Sequence, residues 1–329
     1  MTRLTEPAQV LVTESAGYSV LALQEYRRAG DVVLGDRPES EPTLRPEQVG
    51  AVVVRLGQFL DAAFLNRFPN LRFVVSPTTG LNHIDLEACS TRGIEVISLK
   101  GETAFLDSIT GTSELALGLM LALLRKIPAA HQHTTADLGW DRDLFCARML
   151  SRMTMGIIGL GRLGKQMARM CHGLGMKVIA CDPHVGNADF VIAEARRVTL
   201  LELAAQSDVV SLHADYRREN DGMIDGRFIA ACRPGTLLVN TARGELCDEI
   251  ALAGALDTGH IGGLATDVLR DEQSGAVLAE HPLVRRARQG MNVIITPHIG
   301  GCCADAMRET EEFAARKLLA RLDLPGKDK

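Results

Sequence analysis

The run Met155-Gly156-Ile157-Ile158-Gly159-Leu160-Gly161-Arg162-Leu163-Gly164-Lys165 spaces three glycines as G-x-G-x-x-G. Glycine-rich turns are common, so the spacing alone says little. Its flanks say more: a β-branched run over 154–158 precedes it, and a helical run over 162–174 follows. In such a strand–turn–helix unit the first glycine permits a tight turn. The second lets backbone approach a pyrophosphate, and the third lets helix pack on strand. The helix start presents N–H groups and a positive dipole end to the phosphates. Gly159, Leu160, Gly161, Arg162, Leu163 and Gly164 are therefore candidate dinucleotide-binding residues.

The next strand, over 177–181, ends at Asp182. A carboxylate at that place accepts hydrogen bonds from ribose hydroxyls and repels a 2′-phosphate. Pro183 and His184 follow, with no arginine beside them, so NAD is favoured over NADP. Methyltransferases that bind S-adenosylmethionine share this geometry, but they need no catalytic constellation like the one downstream.

Working outward, short β-branched runs alternate with helical ones almost from end to end, which predicts parallel sheets. The N-terminal strands fall over 10–12, 51–55, 71–76 and 95–98, with helices over 20–28, 61–68 and 86–91. A second series begins at Met153, with strands over 154–158, 177–181, 208–213, 236–240, 261–266 and 293–296. Between the two series lies a helix over 108–126. It is apolar nearly all round and is expected to be buried on most faces, as an interdomain helix or a subunit interface. The polar stretch 131–152 carries the only tryptophan, Trp140. A last helix spans 304–322.

In an open parallel sheet, ligands bind beyond the carboxyl ends of the strands. Here those ends are repeatedly polar: Gly159, Asp182, His213, Asn240, Thr241, Asp267 and His298. Asp248 reads as the N-cap of a helix over 249–256. Three residues suit chemistry. Arg243 follows a strand, where a guanidinium can clamp a carboxylate and polarise a neighbouring carbonyl. His298 also follows a strand, and an imidazole can exchange a hydroxyl proton near neutrality. Glu272, placed beside His298, would orient its ring and raise its pKa.

At these residues the chain resembles the D-isomer-specific 2-hydroxyacid dehydrogenase family, which includes phosphoglycerate dehydrogenases. The glycine run, Asn240-Thr241-Ala242-Arg243-Gly244-Glu245, Asp267-Val268 and Thr296-Pro297-His298-Ile299-Gly300-Gly301 occur in the family's order. The resemblance implies Arg243, Glu272 and His298 as the catalytic set. It implies that Asp267 contacts the nicotinamide amide, and that His213, Thr241 and Ala242 lie along the cofactor. It assigns substrate carboxylate to Arg55 and to the loop Thr78, Thr79 and Gly80, whose amides would form an anion nest. It implies two similar doubly wound α/β domains, Rossmann-like or flavodoxin-like, with the active site in a cleft between them. Residues 1–107 plus 300–329 would form the substrate domain and 108–299 the NAD domain. A homodimer through the long helix is implied as well.

The expected activity is hydride transfer between NAD and C2 of a small anionic D-2-hydroxy acid or 2-keto acid, with phosphorylated or phosphonate acids open. The alternative is an NAD(H)-sensing regulator like the corepressors that share the fold. The chain departs from the family in three places. Gln273 follows Glu272 where proline is common, Ala214-Asp215 replace a proline near His213, and the segment 99–112 is unusual. In that segment Lys100 and Glu102 either face the substrate or sit on a solvated hinge.

Composition narrows the classes. Apolar residues make up 46% and charged residues 23%, with a net charge of -5, and no basic stripe invites nucleic acid. The apolar run 115–124 is too short to span a bilayer. The first residues lack a secretory apolar core, so a cytoplasmic protein is expected. Eight cysteines occur without a CxxC pair, which suits free thiols and predicts no metal site.

Overall fold

The computed structural model describes residues 8–35, 41–136, 138–272 and 278–322. The described residues up to Ile109, together with those from Cys303 on, form one compact unit. Thr110–Cys302 forms a second.

The first unit is built on five parallel strands: β1 (Gln9–Val12), β2 (Asp31–Leu34), β3 (Val49–Val53), β4 (Phe73–Val75) and β5 (Glu95–Ile97). Their order is β2-β1-β3-β4-β5, that of flavodoxin-like sheets. Strand alternation divides the apolar side chains between two layers. Val10 and Val12 pack with Tyr26, Ala314 and Leu318, from helices Val20–Ala29 and Ala304–Arg321. Leu11 and Val52 pack on the other face with Phe64, Leu65 and Cys89. The sequence reading misses β2, whose Asp-Val-Val-Leu follows directly on the first helix and has one buried residue.

The second unit holds seven parallel strands: β6 (Thr154–Ile158), β7 (Lys177–Cys181), β8 (Arg196–Arg197), β9 (Val209–Leu212), β10 (Thr236–Asn240), β11 (Ile261–Thr266) and β12 (Val293–Ile295). Their order, β12-β11-β10-β9-β6-β7-β8, is the Rossmann order with one strand added. The reversal falls between β6 and β9, beside the glycine turn. Met155, Ile157 and Val239 face helices Gly111–Leu124 and Arg162–Gly173. Ile158, Val210 and Leu238 face the other way, toward Leu203, Phe228 and Leu252.

The helix over 111–124 differs from its expectation. Ala116, Leu119, Met120 and Leu123 are buried, but Leu115, Leu117, Leu121 and Leu124 are only half-buried within the chain. An apolar composition says that a helix is to be covered, not whether its own chain covers it. No helix among the described residues is long and apolar enough to cross a membrane.

Candidate functional site

The three glycines of the turn do different jobs. Gly159 has φ of +88°, and a Cβ there would meet Ala214 N at 2.6 Å and the His213 carbonyl carbon at 2.7 Å. The turn after β6 thus lies against the end of β9, and only glycine fits. A Cβ on Gly164 would meet Gly159 O at 2.1 Å, so helix Arg162–Gly173 sits tight on the turn. A Cβ on Gly161 would meet nothing within 4 Å. That open space lies where Gly161 begins the helix without a side-chain cap.

Asp182, at the end of β7, reaches back to this turn. Its Oδ2 accepts from Leu160 N and its Oδ1 from His184 N, each at 2.8 Å. The carboxylate therefore stiffens the glycine turn and keeps further acceptor capacity on both oxygens. His213, after β9, bonds Ser211 Oγ through Nε2 at 2.8 Å. Among the described residues its buried Nδ1 has no partner, nor does the buried Thr241 Oγ1 after β10. Burial pushes the His213 pKa down to about 4, so the ring is neutral. Open space at Gly161, acceptors at Asp182 and two orphaned polar atoms at neighbouring strand ends fit a dinucleotide laid along this edge.

Beyond β10, Asn240 clips its own loop. Its Oδ1 accepts from Ala242 N at 3.0 Å, and its Nδ2 donates to Arg243 O at 2.8 Å. Arg243 is half-buried, and one guanidinium nitrogen donates to Ala242 O at 2.6 Å. Gly244 then packs on the next loop, since a Cβ would meet Arg270 N at 2.2 Å. This close approach ties the loop of Arg243 to the loop of Glu272.

Glu272 and His298 form a pair, with Oε1 2.5 Å from Nδ1 and side chains 28% and 33% exposed. Oε2 accepts from Leu269 N at 3.0 Å. Burial pushes the Glu272 carboxyl up. The His298 hydrogen bond and charge, the Leu269 amide and the Arg243 charge outweigh it and hold the pKa below its usual value. An ionised Glu272 needs a donor, so His298 carries its proton on Nδ1 and leaves Nε2 available. His298 itself has φ of +54°, and Asp271, next to Glu272, has +57°. Non-glycine residues in this region are uncommon and cluster at functional sites.

The sequence reading puts Asp267 against the cofactor. In the structure Asp267 is 2% exposed and committed to the loop of His298. Oδ1 accepts from Thr296 Oγ1 at 2.5 Å and Ile299 N at 2.9 Å, and Oδ2 from Gly300 N at 2.8 Å. Those bonds hold His298 in its left-handed turn. Asp248 caps helix Glu249–Asp257 as expected, accepting from Ile250 N and Ala251 N.

In the first unit, Arg55 is engaged within its own fold. One guanidinium nitrogen lies 2.5 Å from Glu311 Oε1, with side chains 16% and 2% exposed. Another donates to Ala16 O at 3.1 Å, and the group stacks over Tyr18. The sequence reading assigns Arg55 to substrate carboxylate; in the structure its guanidinium lies against a buried carboxylate of its own unit. Glu102 is likewise paired, with Lys317 at 2.6 Å.

The loop after β4 is held by a relay that the sequence reading misses. Thr78 Oγ1 donates to Gly80 O at 2.8 Å, so it accepts from Ser76 Oγ at 2.7 Å. Ser76 in turn accepts from His83 Nε2 at 3.1 Å, and both residues are buried. Among the described residues, the amides of Thr79 and Gly80 have no partner.

The chain is similar to known proteins over most of its length. Residues 117–300 match the model of the D-isomer specific 2-hydroxyacid dehydrogenase NAD binding domain, and residues 10–104 match the catalytic domain of the same name. D-3-phosphoglycerate dehydrogenase of Mycobacterium tuberculosis is 33% identical over 296 residues, covering 88% of this chain and 52% of that protein. The chain spans about half the length of the curated relatives it matches. A solved structure from Thermus thermophilus superposes with a TM-score of 0.81 at 30% identity, covering 96% of this chain and 97% of that one. D-Lactate dehydrogenase from Aquifex aeolicus, complexed with NAD and lactic acid, gives 0.77 at 26%, covering 96% and 95%.

Proposed function

The chain belongs to the D-isomer specific 2-hydroxyacid dehydrogenase family, and we propose that it interconverts a small D-2-hydroxy acid and its 2-keto acid with NAD. The observation that carries this is the Glu272–His298 pair at 2.5 Å, on the same sheet edge as the glycine turn and Arg243. Residues 159–164, Asp182, His213, Thr241 and Ala242 hold the cofactor. NAD, when bound, takes up or gives the hydride.

The rest is the work of side chains. Arg243 pairs with the substrate carboxylate and draws electron density from the neighbouring carbonyl. His298 takes the C2 hydroxyl proton on Nε2 as the hydride leaves C2, and returns it in the reductive direction. Glu272 keeps Nδ1 protonated, fixes the ring and balances the imidazolium charge. Asp267 acts at one remove, by holding the His298 turn.

The reading includes a cytoplasmic homodimer. Eight unbridged thiols suit a reducing compartment. The half-buried face of helix Gly111–Leu124 continues into Ile127, Leu138, Trp140 and Met149, which are 52%, 86%, 90% and 65% exposed. An apolar surface of that kind marks a partner-binding face.

NADH oxidation against a panel of 2-keto acids tests the activity. Turnover of at least one acid is expected. Tight NADH binding with no turnover across the panel would overturn it and favour a sensing role.

A further inference from the structure

The sheet of the second unit reverses at β6, which lies between β9 and β7. A ligand at such a switch point is walled by the loops that leave the two flanking strands. Here those loops meet. The loop after β9 begins against the glycine turn, where a Cβ on Gly159 would touch Ala214 N at 2.6 Å. Further along, Arg217 reaches the loop after β7, with Nη1 3.4 Å from His184 Nε2. The sequence reading finds no arginine beside Asp182. The fold brings one there from 33 residues past His184.

The backbone on both sides is fixed. Asp182 Oδ1 accepts from His184 N at 2.8 Å, so the carboxylate assigned to the ribose also sets His184. On the other loop, Arg217 N donates to Asn220 Oδ1 at 2.7 Å, and Asn220 Nδ2 donates to Asp215 O at 2.8 Å. Arg270 pairs with Asp221 at 3.0 Å and donates to Glu245 O at 2.8 Å, which moors the end of that loop. The guanidinium of Arg217 is held far less firmly. It can only donate, so His184 Nε2 accepts. A bond of 3.4 Å between two exposed residues is weak and readily exchanged.

A planar cation on a fixed loop suits an aromatic base, because a guanidinium lays its flat face on a purine ring. It suits a 2′-phosphate less well here, since Asp182 puts a negative charge at the ribose. We propose that Arg217 exchanges its bond to His184 for the face of the adenine when the dinucleotide binds, and so grips the adenosine end. The loop is the one in which Ala214-Asp215 replace a proline near His213. The proposal rests on the dinucleotide reading above and names the residue that holds the base.

NADH and ADP-ribose carry adenosine, and reduced nicotinamide mononucleotide does not. Fluorescence titration with NADH, and its displacement by the other two, read binding without turnover. Arg217→Ala is expected to weaken NADH and ADP-ribose about tenfold each, within the range for a guanidinium over an aromatic face. The mononucleotide should bind as before. Arg217→Phe keeps a flat group and is expected to restore most of the affinity, whereas Arg217→Lys keeps only the charge and is not. Rescue by lysine, or none by phenylalanine, would overturn the proposal. A larger loss for NADPH than for NADH would do the same, by assigning the guanidinium to the 2′-phosphate. Unchanged NADH affinity in Arg217→Ala, or equal weakening of the mononucleotide, would also overturn it and leave the dinucleotide reading standing. Failure of the unmodified protein to bind NADH would overturn both.

Discussion

Glu249 and Glu272 hold neighbouring amides of one turn: Glu249 Oε1 accepts from Arg270 N and Glu272 Oε2 from Leu269 N, each at 3.0 Å. Glu249 is itself pinned by His281, whose Nε2 lies 2.8 Å from Oε2, with side chains 10% and 4% exposed. His281 Nδ1 accepts from Leu283 N, so Nε2 carries the proton and donates to Glu249. One carboxylate fixes the turn from behind, and the other reaches forward to His298.

Glu249 is therefore a positioning residue, and its loss should act on chemistry rather than on cofactor binding. Glu249→Ala is expected to lower kcat by on the order of 10²-fold, the cost of misplacing a reacting group by about 1 Å. NADH affinity should not change. His281→Asn keeps an N-cap for helix Pro282–Arg288 but cannot reach Glu249, and should lower kcat in the same direction. If both variants only melted earlier, with kcat and its pH profile unmoved, the turn would need no such brace.

His298 sits at φ of +54°, which asparagine also tolerates. His298→Asn thus keeps the turn while removing the proton acceptor. Turnover should fall by about 10²–10⁴-fold, the usual worth of a general acid–base group. NADH affinity, read by fluorescence titration, should persist. Near-full turnover would end the acid–base assignment.

The glycine spacing, Arg243 and His298 are legible as candidates in the sequence because each is local: a motif, or a polar residue soon after a β-branched run; Glu272 enters only as a partner placed beside His298. The supports around these residues are not legible. His281 and Glu249 are 32 residues apart, and Glu311 meets Ser19 across 292. No periodicity announces such pairings, since they arise only when separate elements pack. The commitment of Arg55 to Glu311 is of this kind. The same distance from local pattern hides β8, whose two residues are too few to show alternation.

His213 supplies a pH dependence. Its folded pKa is about 4, against 6.5 when exposed. Folding with a neutral ring costs nothing above 6.5, where the unfolded chain is neutral too. As pH falls from 6.5 toward 4 the unfolded state binds a proton that the folded state refuses, so stability is lost in that window. Each step of one in pH across the window removes at most about 1.4 kcal/mol. His213→Gln should shed less stability than the unmodified protein between pH 6.5 and about 4. Thermal melts across that range check this, and parallel curves would contradict it.

Gly161 and Gly164 separate binding from folding. Gly161 has φ of −71° and open space around its would-be Cβ, so Gly161→Ala should fold normally. Its methyl would occupy the space that a pyrophosphate needs. A misfit of this size costs about 1–3 kcal/mol, roughly tenfold to a hundredfold in NADH dissociation constant. Gly164→Ala instead drives a methyl to within 2.1 Å of Gly159 O, where backbone must move. That variant should lose about 1–3 kcal/mol of stability, seen as a lower Tm without NADH. Melting and NADH titration of both variants check the split. Equal melting losses would show that residue 161 is closed rather than open, and would remove the space assigned to the phosphates.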